Sequence, residues 1–193
     1  GPMHLEGHVN SLKEAHSSVF NSNLEIDENE ILDIISRSSS EQKPPHLVRV
    51  DIYGSERITA SSRPLTTMPK EIRLSTQPLP PGPKSSRIKQ GDWSAYLEAR
   101  RMANYDGADA ALLIKQGLVV DGDTFTPIFI LRNGDIAFPA LDLGGVKSVT
   151  LNHILSQDEN SHINPLQSRI TLSDAYSCLS AAAVGAGIGI RRI

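Results

Sequence analysis

Four prolines and a glycine crowd into QPLPPGPKSS, residues 77–86. Proline lacks the amide hydrogen that helices and central strands use, and its ring fixes φ. No helix or central strand continues through such a stretch. It predicts a stiff linker separating a domain at 3–76 from one at 87–193.

Before the linker the pattern runs helix then strand. HVNSLKEAHSSVF (8–20) places Val9, Leu12, Ala15, His16 and Val19 near helical spacing. Asp27 and Glu30 stand as a capping box ahead of ENEILDIISRS, whose Ile31, Ile34 and Ile35 share a face. LVRVDIYG (47–54) alternates like a half-buried strand, and RITAS and EIRLST are shorter strand candidates. After the linker, Asp92 can cap a helix running to about Asn104, and ALLIK, LVVDG and PIFIL read as strands. Asn133-Gly134 marks a hairpin into DIAFPA. Ser148 can cap a helix over SVTLNHILSQ, and SRITL reads as a strand. DAYSCLSAAAV reads as a small-residue helix, and IGIRRI as a last strand. The order predicts an α/β (α+β) chain in two domains.

With a net charge of −3 over 193 residues, nothing offers an electrostatic grip on nucleic acid or anionic lipid. No run approaches a membrane span and no secretory leader opens the chain. A single cysteine, Cys178, excludes an internal disulfide and fits a reducing compartment, so the expected location is the cytoplasm.

Three features after the linker share one chemistry. Lys89 lies just before a helix, Asp121 closes a strand, and GGVKSVT (144–150) is a glycine-rich turn opening a helix. A helix start offers unpaired amides that suit a phosphate. A lysine amine, a carboxylate and a phosphate cradle are what pyridoxal phosphate requires: an imine partner, a group for the pyridine nitrogen, and an anion site. On spacing alone each has an ordinary reading as well. Lys89 can be a solvated lysine, Asp121-Gly122 a turn, and GGVKSVT a loop with a serine cap. The pair His4–His8 has metal-ligand spacing, but reads as an exposed helix face, and no metal site is expected. Tyr96 and Tyr105 can stack on a cofactor or substrate but read as core; Arg49 and Arg57 can meet a substrate carboxylate but read as surface residues of an edge sheet.

The stretch from RIKQGDWSAYLEARR through GADAALLIKQGLVVDGDTFTPIFILRNGDIAFPALDLGGVKSVTL resembles the class IV pyridoxal-phosphate enzymes. These include branched-chain and D-amino-acid aminotransferases and aminodeoxychorismate lyase, and divergent lyase-like members are the nearest subgroup. Lys89 matches the family's Schiff-base lysine, and Gly107-Ala108-Asp109 its strand entry. Asp121-Gly122 matches Glu-Gly, Phe138-Pro139 stands for Thr-Pro, and Ser148-Val149-Thr150 for Gly-Val-Thr. The resemblance implies a truncated small α/β domain and a larger pseudo-barrel domain. It implies Lys89 as catalytic residue, and Asp121, Ser148, Val149, Thr150 and Ser180 as cofactor-binding residues, Ser180 within LSDAYSCLSAAAVGAGI (172–188). It further implies a small amino substrate, amino acid or amino-chorismate-like, and a homodimer. Three departures point the other way, toward a non-catalytic relative kept as a binding or assembly module. Ser11 stands where the family's His-x-x-Arg-Leu carries a phosphate-binding arginine; Asp121 is one methylene shorter than the usual glutamate; the family's opening strands have no counterpart.

Overall fold

The computed structural model describes residues 3–39, 45–54, 57–81, 88–89, 91–156 and 165–193. Much of the proline-rich stretch, 82–86, lies outside them. The chain divides into two compact units, Gly1–Thr67 and Met68–Ile193.

In the first unit, α1 (Leu5–Phe20) and α2 (Glu28–Ser39) pack against a hairpin of β1 (His46–Tyr53) and β2 (Arg57–Pro64). The predicted capping box is present. Glu30 N–H donates to Asp27 Oδ1 at 2.9 Å, and Asp27 N–H to Glu30 Oε2 at 3.0 Å. Val9, Ile26 and Ile31 form the centre of this core, with Val50 and Ile58 presented by the hairpin. His16 is buried too, its Nδ1 3.0 Å from the carbonyl of Ser22.

The second unit contains two sheets. One has the order β3-β4-β5, from Leu74–Pro78, Ala110–Lys115 and Leu118–Gly122. The other has the order β10-β9-β6-β7-β8, from Gly189–Arg192, Ser180–Gly185, Thr126–Ile130, Ile136–Pro139 and Leu166–Ser168. They are stitched at both edges by bridges, Glu71 to Arg192 and Leu118 to Thr171. The Ile72 amide donates to the Arg192 carbonyl at 2.9 Å, and the Val119 amide to that of Ile170 at 2.8 Å. That double closure is the expected pseudo-barrel. Its interior holds Leu112, Val119, Phe129, Ala137, Ile170 and Ala181. Strand β3 pairs in parallel with β4, and Leu79 continues the contact through its amide to the Ile114 carbonyl. Residues 74–79 therefore belong to this unit's sheet, and Pro78 is tolerated because β3 is an edge strand.

Strand β4 is buried on both faces, which explains its unbroken apolar run. Ala110 and Leu112 face the interior, whereas Ala111 and Leu113 meet α3 (Ser94–Tyr105) through Tyr96, Ala99 and Ala103. The Asn-Gly hairpin forms as predicted between β6 and β7. A shorter helix, α4 (Val149–Ser156), lays Leu151 on Phe138 and Val184.

Two element predictions fail, and one of them is SRITL, which contributes only Ser168 to a strand, the last residue of β8. DAYSCLSAAAV is not a single helix: α5 covers only Leu172–Ser177, and Ser180 onward is strand β9. Cys178 is already extended at φ −61°, ψ 158°. Alanine's helix preference is worth a few tenths of a kcal/mol per residue. The slot between β10 and β6, where Ala181 and Ala183 are buried, outweighs it.

Candidate active site

Asp121 sits near the end of β5, and a β-bulge decides where it points. In the β4–β5 ladder Leu113 pairs with Asp121, but Ile114 pairs with Val119, leaving Val120 as the extra residue. Side chains alternate along a strand, so without the bulge Asp121 would share Val119's direction into the apolar interior. With it, Val119 keeps its core position and Asp121 turns to the side of Leu113, the face covered by α3.

On that face the carboxylate is buried, at 7% exposure. Its Oδ1 accepts the Gly122 amide at 3.0 Å and its Oδ2 the Val146 amide at 2.9 Å, with the Thr126 hydroxyl as a further donor. Burial pushes the carboxyl up to about 7, against the pull of these donors and of the Lys89 charge. The Tyr96 phenol, buried against Trp93 with ring centroids 4.4 Å apart, is raised by burial and then by the charge of Asp121. Lys89 itself is exposed. The structure therefore brings Lys89, Asp121 and Tyr96 into one electrostatic neighbourhood.

The glycine turn closes the other side. A Cβ on Gly145 would lie 2.8 Å from the Val120 carbonyl and 3.5 Å from Asp121 Oδ2, so only glycine allows this approach. Beyond it, Ser148 Oγ accepts the Leu151 amide at 3.2 Å and caps α4. The first-turn amides of Val149 and Thr150 have no carbonyl within the helix to receive them. Val149 is half-buried and Thr150 buried. Asp121 and the 145–150 segment are thus one cluster.

Ser180 does not join it. It opens β9 opposite Ile130, whereas the end of β9 near Thr126 is Val184. Four residue steps along the strand separate Ser180 from Val184, about 13 Å. Ser11 lies half-buried on α1 of the first unit. Tyr105 is 88% exposed rather than core, since it sits on the face of α3 turned away from β4. Among the described residues no group of three His, Cys, Asp or Glu could hold a metal.

Sequence reasoning overlooked Val146, Thr126, Arg100 and Asp123. Asp123 is two residues beyond Asp121, its side chain 1% exposed. Arg100 of α3 grips it with Nε to Oδ2 at 2.8 Å and Nη2 to Oδ1 at 2.7 Å. A second acidic residue in VVDGD was the available signal.

These residues suit pyridoxal phosphate. A carboxylate this buried, held by amides and a hydroxyl, is one that a protonated ring nitrogen would stabilise. The capped helix start beside it offers amides to an anion.

Comparison with known proteins gives the same answer. The family model for amino-transferase class IV matches residues 1–193. A Methanocaldococcus jannaschii protein named "putative branched-chain-amino-acid aminotransferase" is 28% identical over 109 residues, 56% of this chain and 38% of its own length. The chain thus spans well under half of that curated relative. Among solved structures, a branched-chain aminotransferase from Thermoproteus uzoniensis with norvaline superposes with a TM-score of 0.69 at 17% identity, covering 98% of this chain and 69% of that one. One entitled "putative 4-amino-4-deoxychorismate lyase" gives 0.77 at 20% identity, covering 100% and 80%. A hypothetical aminotransferase from Mycobacterium tuberculosis, in its PLP-bound form, gives 0.76 at 13%, covering 97% and 74%. At these identities the structural likeness is one of fold.

Proposed function

The chain belongs to the class IV aminotransferases, a pyridoxal-phosphate-dependent family, and from that premise we propose that it is itself an aminotransferase or lyase acting on a small amino substrate, an amino acid or an amino-chorismate-like compound. The observation that carries this reading is the Asp121 cluster: a buried carboxylate aimed by a bulge, under the influence of Lys89, beside a capped helix start.

Lys89 holds the cofactor through its ε-amine and moves the proton at the substrate's α-carbon. Asp121 holds the ring nitrogen. Ser148, Val149 and Thr150 hold the phosphate through first-turn amides and hydroxyls. Bound pyridoxal phosphate supplies an electron sink for negative charge developing at the α-carbon. Tyr96 and Trp93 close the α3 side and exclude water around Asp121. The reading includes a homodimer, supported by the exposed apolar side chains of α3: Leu97, Met102 and Tyr105. It also includes a cytoplasmic location, supported by the single cysteine.

Ser11, in the place of the family's arginine, favours a second reading: a non-catalytic relative kept as a binding or assembly module. Titrating the purified chain with pyridoxal phosphate separates the two. Uptake with a visible band, followed by bleaching or a band shift on adding amino acids, supports the enzyme. A chain that takes up no cofactor supports the module.

A further inference from the structure

Asp123 has no part in the cofactor contacts just described, yet it is the more fully buried of the two aspartates. Its Oδ2 accepts both Arg100 Nε and the Ala111 amide at 3.0 Å; its Oδ1 accepts Arg100 Nη2 and the Thr124 hydroxyl at 3.1 Å. The Asp123 amide donates back to the Ala111 carbonyl at 3.1 Å, and Arg100 Nη2 also reaches Thr124 Oγ1 at 2.6 Å. The clamp therefore ties the β5–β6 turn to α3 and to β4 at once.

Asp121 sits between two fixed points. The Val120 bulge aims it from one side, and the Asp123 anchor stops the turn from relaxing on the other. Between the anchors the Gly122 amide closes on the Phe125 carbonyl at 2.9 Å, and the Phe125 ring packs where a Cβ on Gly122 would sit, 2.5 Å away. The same turn delivers the Thr126 hydroxyl to Asp121. We propose that Arg100 and Asp123 are positioning residues that hold Asp121 in register with the glycine turn, so that the ring-nitrogen group and the phosphate-binding segment keep a fixed spacing.

The proposal rests on the functional reading above only for what is being positioned. Its test therefore uses cofactor-free protein and reads the Val146 amide, which Asp121 Oδ2 accepts and which is 23 residues distant from the clamp in sequence. The variant is Arg100→Met with Asp123→Leu, which removes both charges together and leaves the Ala111 amide as the stranded backbone group. Amide hydrogen exchange by NMR is compared for Val146 and for Val119, which donates to Ile170 and owes nothing to Asp121. Val146 exchange is expected to accelerate about tenfold while Val119 stays within about twofold. Equal acceleration of both, or none at Val146, overturns the proposal. Should the pair not fold, Arg100→Lys keeps the charge but loses the two-point grip, and selective acceleration at Val146 is again required. Failure of the chain to take up pyridoxal phosphate would leave this measurement standing, so the two readings fail separately.

Discussion

Asp121 makes the stability of the cofactor-free protein depend on pH in an unusual direction. Most acidic groups that deviate here lie lower than usual: Asp92, Glu98 and Asp174 are held down by hydrogen bonds, the first to Ser94, the second to Arg101 and the third to Thr171. Asp121 is pushed up to about 7 by burial, from an ordinary value of 3.8. Between those values the folded state binds a proton that the unfolded state has released. Its contribution is fully present below about pH 4 and is lost as pH rises through 7. Each pH unit is worth about 1.4 kcal/mol, so the cost between pH 5 and 8 is about 3 kcal/mol. Asp121→Asn removes the titrating group. It also turns one donor toward a backbone amide, but that offset is the same at every pH. Urea unfolding can be followed by the fluorescence of Trp93, the chain's one tryptophan, which packs against Tyr96. Subtracting the variant's profile from the wild type's isolates Asp121 from every other group. The wild type should lose about 3 kcal/mol between pH 5 and 8 relative to the variant. Parallel profiles would refute the argument that burial governs this carboxyl.

Three further outcomes follow from the same geometry. Asp123→Ala strands the Arg100 guanidinium and the Ala111 amide, and with Arg100 28% exposed the loss should be about 3 kcal/mol, measured by urea unfolding. Gly145→Ala drives a methyl to 2.8 Å from the Val120 carbonyl, a backbone atom with no easy retreat; calorimetry should show about 1–3 kcal/mol lost, and cofactor titration a weaker uptake. Ser180→Ala, at the far end of β9, should leave cofactor uptake unchanged in the same titration.

Much of this architecture is legible because its signals are local. The Asp27–Glu30 capping box, the Asn-Gly hairpin and the Ser148 cap each depend on residues within four positions of one another. Lys89, Asp121 and the glycine turn are likewise visible as residue types in order. What the sequence conceals is non-local. LVVDG alternates as though Asp121 shared the direction of Val119, and only the partner strand's register reveals Val120 as a bulge. SAAAV carries alanines that favour a helix, and only their place between β10 and β6 makes them a strand. The Ser180 assignment is implied by the family resemblance alone, and the register of β9 sets that residue opposite Ile130. Asp123 looks like one more turn residue until Arg100, a full helix face away, closes on it.

The central claim is that Lys89 and the Asp121 cluster form a pyridoxal-phosphate site. Borohydride reduction of the protein mixed with pyridoxal phosphate, followed by peptide mass mapping, tests it most directly. A pyridoxyl adduct should appear on Lys89, in near one-to-one yield, and Lys89→Ala should abolish both the adduct and the visible absorption. Label spread over several exposed lysines, undiminished in Lys89→Ala, would contradict the account.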